Sequence, residues 1–378
     1  MGTSGRKPTV AHFLPWSGMG GVEIATLRMA EATSGRFRNV AFCLQDAAVR
    51  DSFEKAGIET ITYSPPIPSL RNAPRFYHES RIVARQLRTA EIDIVHFAET
   101  KAAEHNSLAA WLADTRIVCH VRNTYPHLTL RQRLPLLPVD CFIFVSKEAR
   151  RHFGISLSDR KARVIYDAID APDIDLTESS ISVRHELGIP ADCIVIGMVA
   201  RVNPQKDYFT MASAAAKVVR AHSNVRFLIV GDNSRVDLNR MHYEEVARAL
   251  SELGIADKFL FVGHRDDVYR LIAAMDIVVL ATHREGFGLC IAEAMAMRKP
   301  VVATAVGGLL EVVEQGVTGY LHEHENSQEL AERILSLIDN PEAAKKLGMS
   351  GYEHVLRHYS REAFDREMTA SYSEVMSR

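Results

Sequence analysis

The stretch HREGFGLCIAEAMAMRKPVVAT, residues 283–304, follows the apolar run DIVVLA (276–281) and closes on a second one, PVVAT (300–304). Strand, glycine turn, helix and strand in that order make a βαβ unit of a parallel sheet. Gly286 and Gly288 let the backbone approach a ligand closely, and Phe287 sits between them. The N–H groups of Leu289 and Cys290, at the opening of the helix, present partial positive charge. A phosphate is the natural guest. Glu285 precedes the helix and Glu293 falls in its first turns, so the two acids do not share a helical face and would touch opposite ends of one ligand. A ribose on Glu293, as in dinucleotide folds, a diphosphate over the turn and a sugar on Glu285 describe a nucleotide sugar. Read only as partners of the helix dipole, each acid would be worth about 0.3–1 kcal/mol.

The same alternation of short apolar runs with longer helical periods extends over the chain. Its first series is TVAHFL (9–14), NVAFCL (39–44), IETITY (58–63), IDIVHF (92–97), RIVCHV (116–121), CFIFV (141–145) and ARVIY (162–166). A second series is CIVIGMV (193–199), VRFLIV (225–230), KFLFV (258–262), DIVVLA and PVVAT. Two α/β, doubly wound, Rossmann-like domains are expected, over residues 1–170 and 185–360, joined by a polar linker at 171–184. The final helical pattern, 361–378, is long enough to cross back to the first domain. The D-x-D of Asp173 and Asp175 lies in that linker and reads as solvated acids rather than a metal site. A length of 378 residues exceeds what one core usually serves.

Hydrophobic residues make up 47% and charged residues 24% of the chain, and no apolar run is long enough for a signal peptide or a membrane span. A cytoplasmic protein is expected. Five cysteines without a CxxC pair suit buried thiols. Residues 1–170 hold 23 Lys and Arg against 17 Asp and Glu, and the remainder holds 22 against 30. The basic half could meet an anionic acceptor or the inner face of a membrane, while the plainer reading is an arginine-rich solvated exterior. Nothing points to nucleic acid.

Two more loops matter. IGMVARVNPQKDY ends a strand and delivers Arg201 and Lys206, two cations able to neutralise a departing diphosphate without a metal. PWSGMGGVEIATLRMAEA supplies Gly18, Gly20 and Gly21 after the first strand, in neither a G-x-G-x-x-G nor a Walker A pattern, so nicotinamide cofactors and ATP are poorly supported.

Together these residues resemble retaining glycosyltransferases of the GT-B fold, in particular glycosyltransferase family 4. The likeness is dense from about 194 to 348, through GMVARVNPQKD, RFLIVGDN, KFLFVGHRDDV, the E-x7-E pair in EGFGLCIAE and GGLLEVVEQGVTGYL, and looser in the first half. It implies two domains facing a central cleft, with acceptor bound by the first and a nucleoside-diphosphate sugar, UDP-linked as the leading choice, by the second. It implies that Arg201 and Lys206 bind the diphosphate, that Glu285 contacts the transferred sugar and that Glu293 binds ribose. By the same resemblance the backbone of Phe287, Gly288, Leu289 and Cys290 holds sugar and phosphate, and Gly20 and Gly21 line the phosphate from the first domain. The loop of Val262, Gly263 and Arg265 meets the base, and His120 lies near the reacting carbon. No cofactor and no essential divalent metal are expected, and the acceptor is a hydroxyl of a glycan, a lipid carrier or a small molecule.

Departures from the family are Asp207 in place of glycine, Ala281-Thr282 in place of Pro-Ser, and Asp167-Ala168 in place of Asn-Gly. Alternative readings are a nucleotide-sugar epimerase, a non-catalytic nucleotide-sugar-binding protein and, more distantly, a zinc enzyme using His322 with His324 or His354 with His358.

Overall fold

The computed structural model describes residues 6–15, 18, 20–45, 48–69, 71–169, 173–234 and 236–378. They divide into two compact units, one of residues up to Ala168 together with Arg361–Arg378, the other Ile169–Ser360.

The first unit carries seven strands: β1 (Thr9–Phe13), β2 (Arg38–Leu44), β3 (Glu59–Tyr63), β4 (Ile94–Phe97), β5 (Arg116–Val121), β6 (Cys141–Phe144) and β7 (Ala162–Val164). They pair in parallel in the order β3-β2-β1-β4-β5-β6-β7. The second unit carries β8 (Ile194–Val199), β9 (Val225–Val230), β10 (Phe259–Phe261), β11 (Ile277–Leu280), β12 (Val301–Thr304) and β13 (Tyr320–His322), again all parallel, in the order β10-β9-β8-β11-β12-β13. Strands such as IVVL of β11 and VVAT of β12 are buried throughout, because helices cover both faces of a parallel sheet. Strand β13 escaped the sequence reading: its three residues, YLH, lie between Gly319 and Glu323 without the longer apolar run that marks the equally short β7 (ARVIY) and β10 (KFLFV).

In each sheet the order reverses once, between β1 and β4 and between β8 and β11. Adjacent strands whose crossovers run to opposite sides leave a crevice at their carboxyl ends, the place where open α/β sheets take ligands. The loops after β8 and β11, which hold Arg201, Lys206 and Glu285, border that point in the second sheet.

The expected linker needs correction. Residues Leu176–Glu186 form a helix of the second unit, started by Asp175, whose carboxylate accepts from the N–H groups of Thr177 (2.8 Å) and Glu178 (2.9 Å). The acids and serines that look like linker are the helix's capping end. Ala171 and Pro172 lie outside the described residues. Cys43, Cys119, Cys141 and Cys193 are free and buried, and Cys290 is half-buried.

The last helix, Arg361–Met376, belongs to the first unit. Phe364, Met368, Tyr372 and Val375 recur every three or four residues and form one buried face against Val10, Met29, Phe37, Ile94, Val118 and Ile143. Arg361 bonds Glu31 at 3.1 Å, and Arg378 donates to the carbonyls of Asp140 (3.0 Å) and Arg160 (2.7 Å), so both ends of the helix are tied. Buried Tyr372 places its hydroxyl 2.6 Å from His96 Nδ1. Tyr372→Phe keeps the ring but strands that imidazole nitrogen, and we expect it to lower the unfolding free energy by about 1–3 kcal/mol in chemical denaturation.

Candidate functional site

Strand β11 ends at Leu280, and the chain turns at once. Thr282 N–H donates to Thr304 Oγ1 (3.1 Å), and its own hydroxyl donates to the carbonyls of Gln205 (3.2 Å) and Arg284 (3.0 Å). Lys206 and Thr282 form an isolated antiparallel bridge, which joins the loop after β8 to the loop after β11. Across that bridge Lys206 Nζ reaches Glu285 Oε2 at 2.6 Å, with side chains 13% and 19% exposed. Two charges this far from solvent persist only because each has the other.

The turn is built on glycine. Gly288 takes φ +97° and opens the helix Leu289–Ala296. Ile291 N–H makes the first turn's bond back to the Gly288 carbonyl (3.0 Å), and the N–H groups of Leu289 and Cys290 precede it at the free tip of the helix. A second loop supports this one from below. Gly308 N–H donates to the Glu285 carbonyl (3.0 Å), and a Cβ on Gly307 would stand 1.9 Å from that same oxygen. Phe287 is buried against Tyr359, ring centroids 5.1 Å apart and nearly perpendicular.

Cys290 reports the electrostatics. Burial pushes its thiol up to about 12; the carboxylates of Glu285 and Glu293 add to that rise and the Lys206 ammonium opposes it. Lys206, Glu285, Cys290 and Glu293 therefore share one neighbourhood. Glu293 accepts from the Tyr269 hydroxyl at 3.3 Å, a contact with no signal in the sequence. Arg201 stands at the exit of β8, exposed, and its side chain makes no hydrogen bond or ion pair among the described residues. In the loop after β10, Val262 N–H donates to the Ile229 carbonyl (3.0 Å) and Gly263 accepts from Gly231 N–H (2.8 Å). Arg265 is committed elsewhere: its guanidinium forks onto Asp267 (2.8 Å twice) and reaches Glu186 (2.8 Å). These bonds hold its charge on the protein, so this loop offers a ligand its backbone more readily than that guanidinium.

The first unit holds the remaining candidates. Gly20 caps the helix Gly21–Thr33 in extended conformation, and a Cβ on Gly21 would meet no atom within 4 Å. His120, on β5, is fully buried, stacked on His96 with Nδ1 3.3 Å from His96 Nε2. If Tyr372 donates to His96 Nδ1, then His96 Nε2 donates to His120 Nδ1 and the proton of His120 sits on Nε2. Burial, with Arg122 and His96 nearby, holds His120 neutral by lowering its pKa well below the usual imidazole value. Arg122 itself was not singled out in the sequence. It forms a buried pair with Asp167 (2.6 Å) and donates to the Ala98 carbonyl (3.1 Å), which accounts for an acid at 167.

Comparisons with known proteins place this geometry. Residues 180–354 match the family model described as glycosyl transferases group 1, and residues 19–172 match the model of glycosyltransferase family 4. The D-inositol 3-phosphate glycosyltransferase of Mycolicibacterium smegmatis is 32% identical over 61% of this chain, a match that spans 51% of that protein. The putative glycosyltransferase EpsD of Bacillus subtilis is 29% identical over 81% of this chain and 84% of its own length. Among solved structures, Anabaena HepE in complex with UDP and glucose superposes with a TM-score of 0.85 at 24% identity, covering 96% of this chain and 99% of that one, a likeness of fold.

The stacked glycine loops give a direct test. Gly307→Ala, with φ +54° and the Glu285 carbonyl in the way, is expected to cost about 1–3 kcal/mol in chemical denaturation. Gly316→Ala, at φ +73° in open space, should cost less, because only its backbone conformation is strained.

Proposed function

Because the chain belongs to the GT-B glycosyltransferases that pair a family 4 part with a group 1 part, we propose that it moves a sugar, with retention of anomeric configuration, from a nucleoside-diphosphate sugar to a hydroxyl acceptor. The observation that carries the reading is the Lys206–Glu285 pair at 2.6 Å beside a helix tip opened by Gly288. The ammonium has three donors, so Lys206 can keep Glu285 and take a phosphate oxygen as well. Arg201 adds a second, unengaged cation, and the N–H groups of Leu289 and Cys290 add dipoles. Glu285 then faces the sugar hydroxyls and Glu293 the ribose. Uridine is the base we assign, seated on the backbone around Val262 and Gly263.

In this reading leaving-group stabilisation dominates. Charge that develops on the departing diphosphate meets groups already oriented, and this preorganisation lowers the barrier without an essential divalent metal. The acceptor hydroxyl attacks on the face the diphosphate leaves.

For the acceptor we propose one presented at an anionic membrane face. Supporting this is a short segment in which Leu130, Leu134 and Leu137 are 73%, 54% and 70% exposed beside Arg131 and Arg133. The wider arginine excess is weaker support, because Arg75, Arg150, Arg151 and Arg163 are already paired with acids. No helix among the described residues is long and apolar enough to cross a membrane.

Lys206→Ala is expected to lose UDP binding, read as the disappearance of a UDP-induced thermal shift, and to lower transfer by roughly 100-fold or more; unchanged transfer would refute the assignment. NMR of the product should show the donor's anomeric configuration, and an isomerised donor without acceptor would point to an epimerase instead. Cosedimentation with vesicles of anionic lipid should fall when Leu130 and Leu137 are changed to Ser, and equal binding by that variant would remove the membrane face from the proposal.

A further inference from the structure

Asp207 has no part in the transfer just described, yet it is almost fully buried. One carboxylate oxygen accepts from Thr210 N–H (3.1 Å) and caps the helix Tyr208–Ala221. Its neighbours across the β8–β11 bridge are two imidazoles: ligating atoms of Asp207, His283 and His324 all lie within 4.8 Å of one another. His283 Nδ1 is 2.8 Å from His324 Nε2, and Glu325 Oε1 stands 3.6 Å from the first nitrogen and 3.9 Å from the second. These donors come from three loops, after β8, β11 and β13, each fixed by main-chain bonds: Asp207 N–H to the Ala281 carbonyl (3.1 Å), His283 N–H to Gln205 (3.0 Å) and Asn326 N–H to Glu323 (3.2 Å). Glu325 holds φ +59°, in the left-handed region that a side-chain-bearing residue seldom adopts. His322 is not part of the group, since it points inward to Thr304 Oγ1 (3.1 Å) and the Glu323 carbonyl (2.7 Å).

We propose that Asp207, His283, His324 and Glu325 form a binding site for one divalent transition-metal ion of the zinc class, which clamps the three loops together. Two imidazoles with two carboxylates favour zinc or cobalt over magnesium or calcium, which prefer oxygen alone. A tetrahedral ion with bonds of about 2.0–2.2 Å spaces its ligand atoms about 3.3–3.6 Å apart, between the 2.8 Å of the imidazole pair and the 4.8 Å bound on the set Asp207, His283 and His324. Glu325, with a side chain 64% exposed and already 3.6 Å from His283, would turn in as the fourth ligand. Both facing nitrogens must present lone pairs, so the imidazole that donates in the 2.8 Å contact moves its proton to its other ring nitrogen when the ion binds. Lys206 and Glu285 adjoin Asp207 and His283 in the chain, so the clamp stiffens the loops that carry them while taking no part in bond making or breaking. The inference stands on its own geometry and does not depend on the transferase reading.

The test uses the full chain, stripped with chelator and titrated with zinc chloride by calorimetry, then with cobalt chloride by visible absorption. We expect about one equivalent of zinc, a raised melting temperature, and the intense visible bands of tetrahedral cobalt. His283→Ala and the more exposed His324→Asn should each weaken zinc binding by roughly 100-fold or more while keeping the metal-free melting temperature of the parent. A chain that binds no zinc saturably, or a double variant that binds as the parent does, overturns the proposal. So does binding lost instead in His354→Ala, whose ring lies 4.7 Å from that of His358 and forms the other imidazole pair of this unit.

Discussion

The contact between Lys206 Nζ and Glu285 Oε2 is the constraint on which the second unit's chemistry hangs. It exists because the sheet order puts β8 beside β11, although Lys206 and Glu285 are 79 positions apart in sequence, with β9 and β10 between them. A cation at one strand's exit and an acid at the other's are thereby held at hydrogen-bond distance over the crevice. Neither charge is fully solvated, so each fixes the other's position at the carboxyl edge of the sheet. Removing either partner leaves a half-buried charge unpaired, which is why the pair must be regarded as one unit.

Around that pair the backbone does as much as the side chains. Gly288 aims the helix tip, and the Gly307–Gly308 loop fits so closely against the carbonyls of Glu285 and Gly286 that neither glycine has room for a Cβ. Close packing of main chain on main chain keeps the N–H groups of Leu289 and Cys290 oriented before any ligand arrives, and orientation in advance is what makes dipoles effective. The first unit follows a similar economy with different groups. Its buried Arg122–Asp167 pair spans the exits of β5 and β7, and the chain Tyr372–His96–His120 ties a sheet histidine to the C-terminal helix.

How much of this was readable beforehand follows from the range of each interaction. Parallel strands are apolar on both faces, so twelve of the thirteen stood out as runs such as DIVVLA, and the glycine turn announced itself by composition. The helix Leu176–Glu186 did not, because its capping acids and serines have the same composition as a linker. Arg265 illustrates another limit: its place in the loop after β10 was legible, but the fork onto Asp267 and Glu186 depends on side-chain geometry and on a residue 79 positions away. Asp167 and Asp207, visible only as departures from a family pattern, acquire their reasons from the Arg122 guanidinium, 45 positions from the first, and from the Thr210 N–H that the second caps.

The absence of an obvious nucleophile from the sequence fits the physics of such a site. Where a reaction's difficulty lies in the charge of the leaving group, a fixed field accelerates it without a covalent intermediate, and selection acts on how rigidly that field is held. Rigidity here comes from bonds between loops: the Lys206–Thr282 bridge, the Gly308–Glu285 bond and the Gln205 amide's bond to the Arg284 carbonyl. All three converge on the exit of β11 and tie the residues flanking the EGFG turn to two neighbouring loops. A carboxylate carried on a freely moving loop would lose its orientation to entropy; Glu285, tied through its side chain to Lys206 and through its carbonyl to Gly308 N–H, keeps it.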